Sequence, residues 1–139
     1  THGFDNTRMF PIIEKYHLPI TEQTLPTLLD DLDQRGLLKD TLVVWMGEFG
    51  RTPKINANVS RDHWPDCYTV LLAGGGVKPG FIHGASDAQG MYPDEHPVKP
   101  EDLAATIYHL LGIDPQAEIH DRNHRPLAIG GRAVTEIML

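Results

Sequence analysis

The sequence predicts an α/β fold, and three observations carry that prediction. A helical leucine repeat comes first, two continuous apolar runs that stop at glycine follow, and a sharply bounded second helix comes after them. Helix, strand, loop, strand, hairpin, helix is an α/β order. Two strong strands are too few for a free-standing doubly wound sheet. The chain therefore reads as one partial domain over residues 1–139, the C-terminal part of a larger α/β domain with further strands upstream.

Each element has its own warrant. Thr1 to Ile20 reads as irregular, with a short apolar patch at Met9 to Ile13. From about Thr24 to Arg35, Leu25, Leu28, Leu29 and Leu32 recur at helical spacing and Gly36 supplies a stop. Pro26 is acceptable there only in a first turn. Leu42 to Met46 is a continuous apolar run, the pattern of a strand buried on both faces. Residues 47–66 read as a long polar loop, and Tyr68 to Ala73 as a second buried strand, ended by a tight bend at Gly74-Gly75-Gly76. Lys78-Pro79-Gly80 is a turn with a short strand, Phe81 to Gly84, after it, and residues 85–97 are a loop. The second helix is the clearest element. Pro100 starts it, Glu101 and Asp102 suit its N-terminal dipole, and Leu103, Ile107, Leu110 and Leu111 form one apolar face before Gly112 and Pro115.

Composition narrows the function. With 40% hydrophobic and 22% charged residues the chain is an ordinary globular sequence. A net charge of -7 argues against nucleic acid as a partner, which calls for a basic face. No segment has the length and apolarity of a membrane span. The single cysteine, Cys67, excludes an internal disulfide and a cysteine-based zinc cage. Because it starts at Thr1 rather than Met, the sequence reads as truncated, and the lack of a signal peptide says little.

The candidate site lies where the first apolar run ends. Gly47-Glu48-Phe49-Gly50-Arg51 sets a carboxylate and a guanidinium just beyond a strand, where ligands sit in open α/β sheets. Glu48 can ligate a metal, act as a base, or pair with Arg51 and brace the loop. Arg51 offers a planar fork suited to phosphate, sulfate or carboxylate. Arg61-Asp62-His63-Trp64 follows about ten residues later, immediately before the second strand. His63 suits metal ligation or general base work, against a plain loop imidazole. Asp62 can orient it, although neighbours on an extended chain often point apart. Trp64 reads as a packing anchor, and His2 and Asp5 lie too near the terminus to be judged by spacing. His96, His120 and His124 read as solvated loop residues, and His109, beside the apolar stripe of the second helix, as a core or surface packing residue. The triple glycine is not followed by a helix, so it makes a weak anion cradle. No G-x-S-x-G elbow, P-loop or HExxH occurs.

Taken together, LVVWMGEFGRTP at Leu42–Pro53, RDHW at Arg61–Trp64, YTVLLAGGGV at Tyr68–Val77, PEDLAATIYHLLGI at Pro100–Ile113 and the opening Thr1-His2-Gly3 resemble the C-terminal part of the DUF1501 family. The likeness runs over nearly the whole chain. It implies membership of the alkaline phosphatase/sulfatase superfamily and hence the C-terminal portion of a three-layer α/β/α domain. It implies a metal-dependent hydrolase of sulfate or phosphate esters, with a small anionic ester as substrate and a divalent metal (Zn, Ca or Mg) as cofactor. By position, Glu48 stands for the aspartate of the superfamily's metal-binding Asp-His pair and Phe49 for its histidine. His63 stands for the later metal-binding histidine, and His2 belongs to an Asp-x-His pattern whose aspartate would precede Thr1. Phenylalanine cannot ligate a metal, so Phe49 costs a two-metal centre one ligand, and Arg51 would supply positive charge in its place. The nucleophile would lie upstream, which makes this polypeptide alone inactive. The alternative is a non-catalytic scaffold that keeps the fold. Family resemblance also implies an extracytoplasmic location. An apolar sheet edge without its neighbours would favour self-association.

Overall fold

A computed structural model describes residues 9–128 and 130–139, with Ala128 described by its backbone alone. The backbone is helical from Met9, the first described residue, which corrects the irregular segment expected over residues 9–20, while residues 1–8 of that expectation lie outside the described residues. A short helix, α1 (Met9–Ile12), runs through a π turn at Ile13–His17 into α2 (Leu18–Gln34). The wide turn shifts the helical phase, so no single 3.6-residue period marks this start in the sequence. Pro19 lies directly after the π turn, and with no N–H of its own it cannot bond back to a carbonyl of that turn. Pro26 lies inside the helix and not in a first turn as expected. Nearby, the Thr24 hydroxyl donates to the Ile20 carbonyl at 2.6 Å. Gly36, at φ 68°, closes the helix, and the Leu37 amide reaches back to the Leu32 carbonyl at 2.8 Å. Leu25, Leu29 and Leu32 are half-buried and Leu28 is exposed, so the predicted apolar face is only partly covered.

Eight short strands follow among the described residues. β1 (Val43–Trp45), β2 (Gly50–Arg51), β3 (His63–Trp64) and β4 (Leu71–Ala73) occupy the centre of the chain. β5 (Ala85–Ser86), β6 (Pro93–Glu95), β7 (Glu118–His120) and β8 (Pro126–Ala128) lie further on. They form four antiparallel two-stranded ribbons: β1–β4, β2–β3, β5–β6 and β7–β8. The two strong apolar runs do pair with each other, Val43 against Ala73 and Trp45 against Leu71. Their burial on both faces is not observed. Val43 and Val44 are half-buried, and Trp45 and Leu71 are more than 40% exposed.

Two expected loops hold strands, because two-residue strands of polar sequence carry no readable period. β2 and β3 sit within 47–66, and β5 and β6 within 85–97. Phe81 to Gly84, expected as a strand, is irregular backbone. The architecture is thus mixed α/β, helices combined with small antiparallel ribbons.

The last helix, α3 (Pro100–Leu110), appears where the sequence places it, with Glu101 and Asp102 in its first turn. Its Leu103, Ile107 and Leu110 are half-buried, Leu111 is exposed, and the fully covered positions are Ala105 and Thr106. The C-terminal segment explains that cover. Asp102 accepts the Arg132 amide at 2.8 Å, and the Thr106 hydroxyl accepts the Val134 amide at 2.9 Å. Beyond it, a 3₁₀ turn at Thr135–Ile137 leads to Met138, which bridges Val77, while the Leu139 amide donates to the Gly76 carbonyl. The chain end therefore ties α3 to the bend after β4. Among the described residues, no helix is long and apolar enough to cross a membrane.

Candidate functional site

The site is built on the β2–β3 hairpin, which the strand sequence β1–Met46–Gly47–Glu48–Phe49 leads into. Register places Gly50 opposite Trp64 and Arg51 opposite His63. Gly50 is needed for a steric reason, since a Cβ at this position would land on the Cys67 carbonyl oxygen and against the Tyr68 side chain. That close approach draws the Cys67–Tyr68 backbone up behind the hairpin and fixes where Arg51 and His63 emerge.

Two arginines clasp the hairpin. Arg51 Nη1 donates to the Arg61 carbonyl at 3.0 Å, and Arg61 Nη2 returns a bond to the Arg51 carbonyl at 2.9 Å. Arg61 Nε donates to the Thr52 carbonyl, whose own amide donates to the Asp62 carbonyl at 2.9 Å. The guanidinium of Arg61 spends its donors on backbone oxygens and forms no ion pair among the described residues, so its charge stays uncompensated there. A positive loop results.

The intervening loop is organised by Asn56. Its Oδ1 accepts the Asn58 and Ser60 amides at 2.9 and 3.1 Å, and its Nδ2 donates to Asp62 Oδ1 at 2.9 Å. This Asx arrangement lets Val59 adopt φ 55° and turns Ser60 fully inward. The Ser60 hydroxyl is buried with no hydrogen-bond partner among the described residues. A cleft of about 370 Å³ lined by Thr52, Lys54, Ile55, Asn56, Ala57 and Asp62 opens beside the loop. Another, of about 270 Å³, lies at Trp45, Met46, Gly47, Thr69 and Leu71. Glu48 to Arg51 lie between these two linings along the chain.

The predicted site residues are distributed as follows. Arg51, Asp62 and His63 share the hairpin. Glu48 sits in the bend just before it, exposed, and its carboxylate makes no hydrogen bond or ion pair among the described residues. The bracing Glu48–Arg51 pair considered from sequence is therefore not the observed arrangement. His63 is exposed, and its ring lies 4.3 Å from that of Phe49. The non-ligating Phe49 packs on the imidazole and holds it in place. The Asp62 carboxylate accepts Asn56 Nδ2, and the Asp62 backbone N–H donates to the Thr52 hydroxyl. Trp64 is an anchor as expected, with Nε1 donating to the Met91 carbonyl at 2.6 Å and its ring edge on Tyr92 at 5.5 Å. His2 lies outside the described residues.

Sequence reasoning missed Asn56, Ser60 and the reciprocal role of Arg61. The Asn-x-Asn-x-Ser run at 56–60 is a turn signature that could have revealed the first two. Among the described residues, no three His, Cys, Asp or Glu side chains converge as a metal cage. Glu48 and His63 by themselves supply two donors.

No curated protein and no solved structure matches the chain. One family does match: the sequence model described as "Protein of unknown function (DUF1501)" covers residues 3–138, which takes in the β1 end, the clasped hairpin, α3 and the C-terminal segment. The chain belongs to the DUF1501 family.

Proposed function

We propose that this chain carries part of the site of a metal-dependent hydrolase acting on sulfate or phosphate esters, within an alkaline-phosphatase-like three-layer domain. The observation that supports this most is the β2–β3 hairpin. It sets Arg51 opposite His63 and follows directly on Glu48, so an unengaged carboxylate, an exposed imidazole and a guanidinium pair emerge from one short stretch. Glu48 and His63 would donate to a divalent ion, and further donors must come from other residues, since the two alone do not complete a coordination sphere. Such an ion polarises an ester oxygen. Arg51 and Arg61 contribute positive charge on the side where an anionic ester would lie, and Asp62 fixes the loop that positions them. Phe49 orients the His63 ring.

Elemental analysis of the full-length protein, alongside a panel of chromogenic sulfate and phosphate esters, tests this. Divalent metal is expected at a defined stoichiometry and should be lost in Glu48→Ala and His63→Ala while the far-UV spectrum is kept. A folded protein without metal and without anion affinity would overturn the reading. Phe49 favours one second reading, a non-catalytic scaffold that retains the fold, because a hydrocarbon ring stands where the superfamily resemblance implies a metal ligand. Ester turnover abolished by a chelator would exclude it.

A further inference from the structure

A second pair of metal-competent side chains lies away from the clasped hairpin, at the open end of the β5–β6 ribbon. The tip of that ribbon faces the site, where Met91 accepts the Trp64 indole and Gly90 lies against Pro53. At the other end the register runs from Ser86 against Pro93 through Ala85 against Glu95, which brings Gly84 next to His96. The His83 and His96 rings stand 5.4 Å apart, tilted by 39°.

Two backbone features produce that approach. Gly84 has φ 77°, and a Cβ there would lie 2.8 Å from the Glu95 carbonyl oxygen and 3.0 Å from that of His96. Only glycine lets the two strands close to this distance. His96 has φ 44°, although it is a residue with a side chain and precedes Pro97, which pushes its predecessor toward extended backbone. A histidine held in left-handed backbone ahead of a proline is a strained choice, and such strain clusters at ligand clamps. A glycine or asparagine would fit the same turn more easily.

We infer that His83 and His96 form a two-imidazole chelate for a late first-row divalent ion. Imidazole donors select nickel, copper or zinc over magnesium and calcium, which call for oxygen ligands. Asp94 and Glu95 on the adjoining strand add negative charge, which favours a cation at this end of the ribbon. Lys78 donates to the Glu136 carbonyl at 2.9 Å and lies over the Phe81 ring, which stands 6.5 Å from that of His83. Neither histidine belongs to the proposed hydrolase site, so the two ideas stand or fall separately.

Calorimetric titration of the full chain with Ni²⁺ alone tests the chelate, using His83→Gln, His96→Gly and His63→Ala. His96→Gly removes the imidazole and relieves the backbone at the same step, so it keeps the ribbon folded. One Ni²⁺ equivalent that depends on the ribbon histidines is expected, whatever binds elsewhere, and it should be weakened on the order of a hundredfold by either ribbon substitution, because each breaks the same bidentate site. The double variant should bind no more weakly than the singles, and His63→Ala should leave this equivalent in place. Wild-type affinity in both ribbon variants, or independent partial losses that add in the double, would show two separate packing histidines and overturn the proposal. Loss of that equivalent in His63→Ala would overturn it as well, by assigning the ion to the other site.

Discussion

Ser60 is the residue whose environment asks most for an explanation. It is fully buried, its neighbour Val59 is in left-handed backbone, and its hydroxyl has no partner among the described residues. A buried hydroxyl without a partner costs about 1–3 kcal/mol relative to a methyl group of similar size. Ser60→Ala should therefore raise stability, by up to about 1 kcal/mol once the small volume loss is counted. Urea denaturation checks this, and a fall in midpoint would mean that the hydroxyl is engaged and stabilising. At the same scale, Glu48 and Arg51 stand out in the sequence as candidates because charged groups at the end of an apolar run are unusual, and His63 because it comes shortly before the next run. It did not reveal that Arg61 clasps Arg51 through backbone carbonyls, since a side chain bonding to main chain leaves no residue pattern behind. Nor could the lone phenylalanine at 49 be read as the packing partner of His63 without the ring geometry.

Elements were legible in proportion to their periodicity. α3 and the two apolar runs stand out because each repeats one kind of side chain at one spacing. The β2–β3 and β5–β6 pairs do not, because two or three residues carry no period and their stability comes from loop bonds instead. The β7–β8 ribbon shows the same device and can be tested by pH. Asp121 Oδ1 accepts the Asn123 and Arg125 amides at 2.7 and 2.9 Å, and Oδ2 accepts Arg125 Nε at 2.7 Å. The Arg125 amide, opposed by burial and helped by the Arg125 guanidinium and the Asn123 amide, holds this carboxyl below its ordinary value of 3.8. A depressed carboxyl stabilises the fold above its unfolded pKa, and that contribution is lost as pH falls through the folded one. The loop should therefore stay closed between pH 7 and 5 and open only in acid below 3.8. The Asn123 and Arg125 amide shifts, followed by NMR, report the midpoint, and a midpoint at or above 3.8 would contradict the bonding described.

At the scale of the whole molecule, cover is thin. The accessible surface is 10289 Å², against about 7,200 Å² for a folded monomer of this mass. Trp45, Leu71, Phe81, Ile82 and Leu111 are among the large apolar side chains left exposed. With so little buried apolar area, the links that join distant parts of the chain matter more than usual. The most direct runs through Thr106. Its hydroxyl, fully buried, donates to the Asp102 carbonyl at 2.7 Å and accepts the Val134 amide at 2.9 Å, so one side chain joins α3 to the C-terminal segment. That segment in turn reaches the bend after β4 through the Lys78 amide on the Ile137 carbonyl and the Leu139 amide on the Gly76 carbonyl. Thr106→Val keeps the shape and removes the acceptor, which leaves the half-buried Val134 N–H without this partner. The expected cost is about 1–3 kcal/mol. Thr106→Ser retains the hydroxyl and should lose only the smaller methyl contribution. If the link holds the molecule together, amide exchange in Thr106→Val should speed up at Val134, Lys78 and Leu139 together. Faster exchange at Val134 alone would show that the C-terminal segment is held independently at its two ends. An unchanged melting midpoint in Thr106→Val would remove this bond from any account of why so open a chain stays folded.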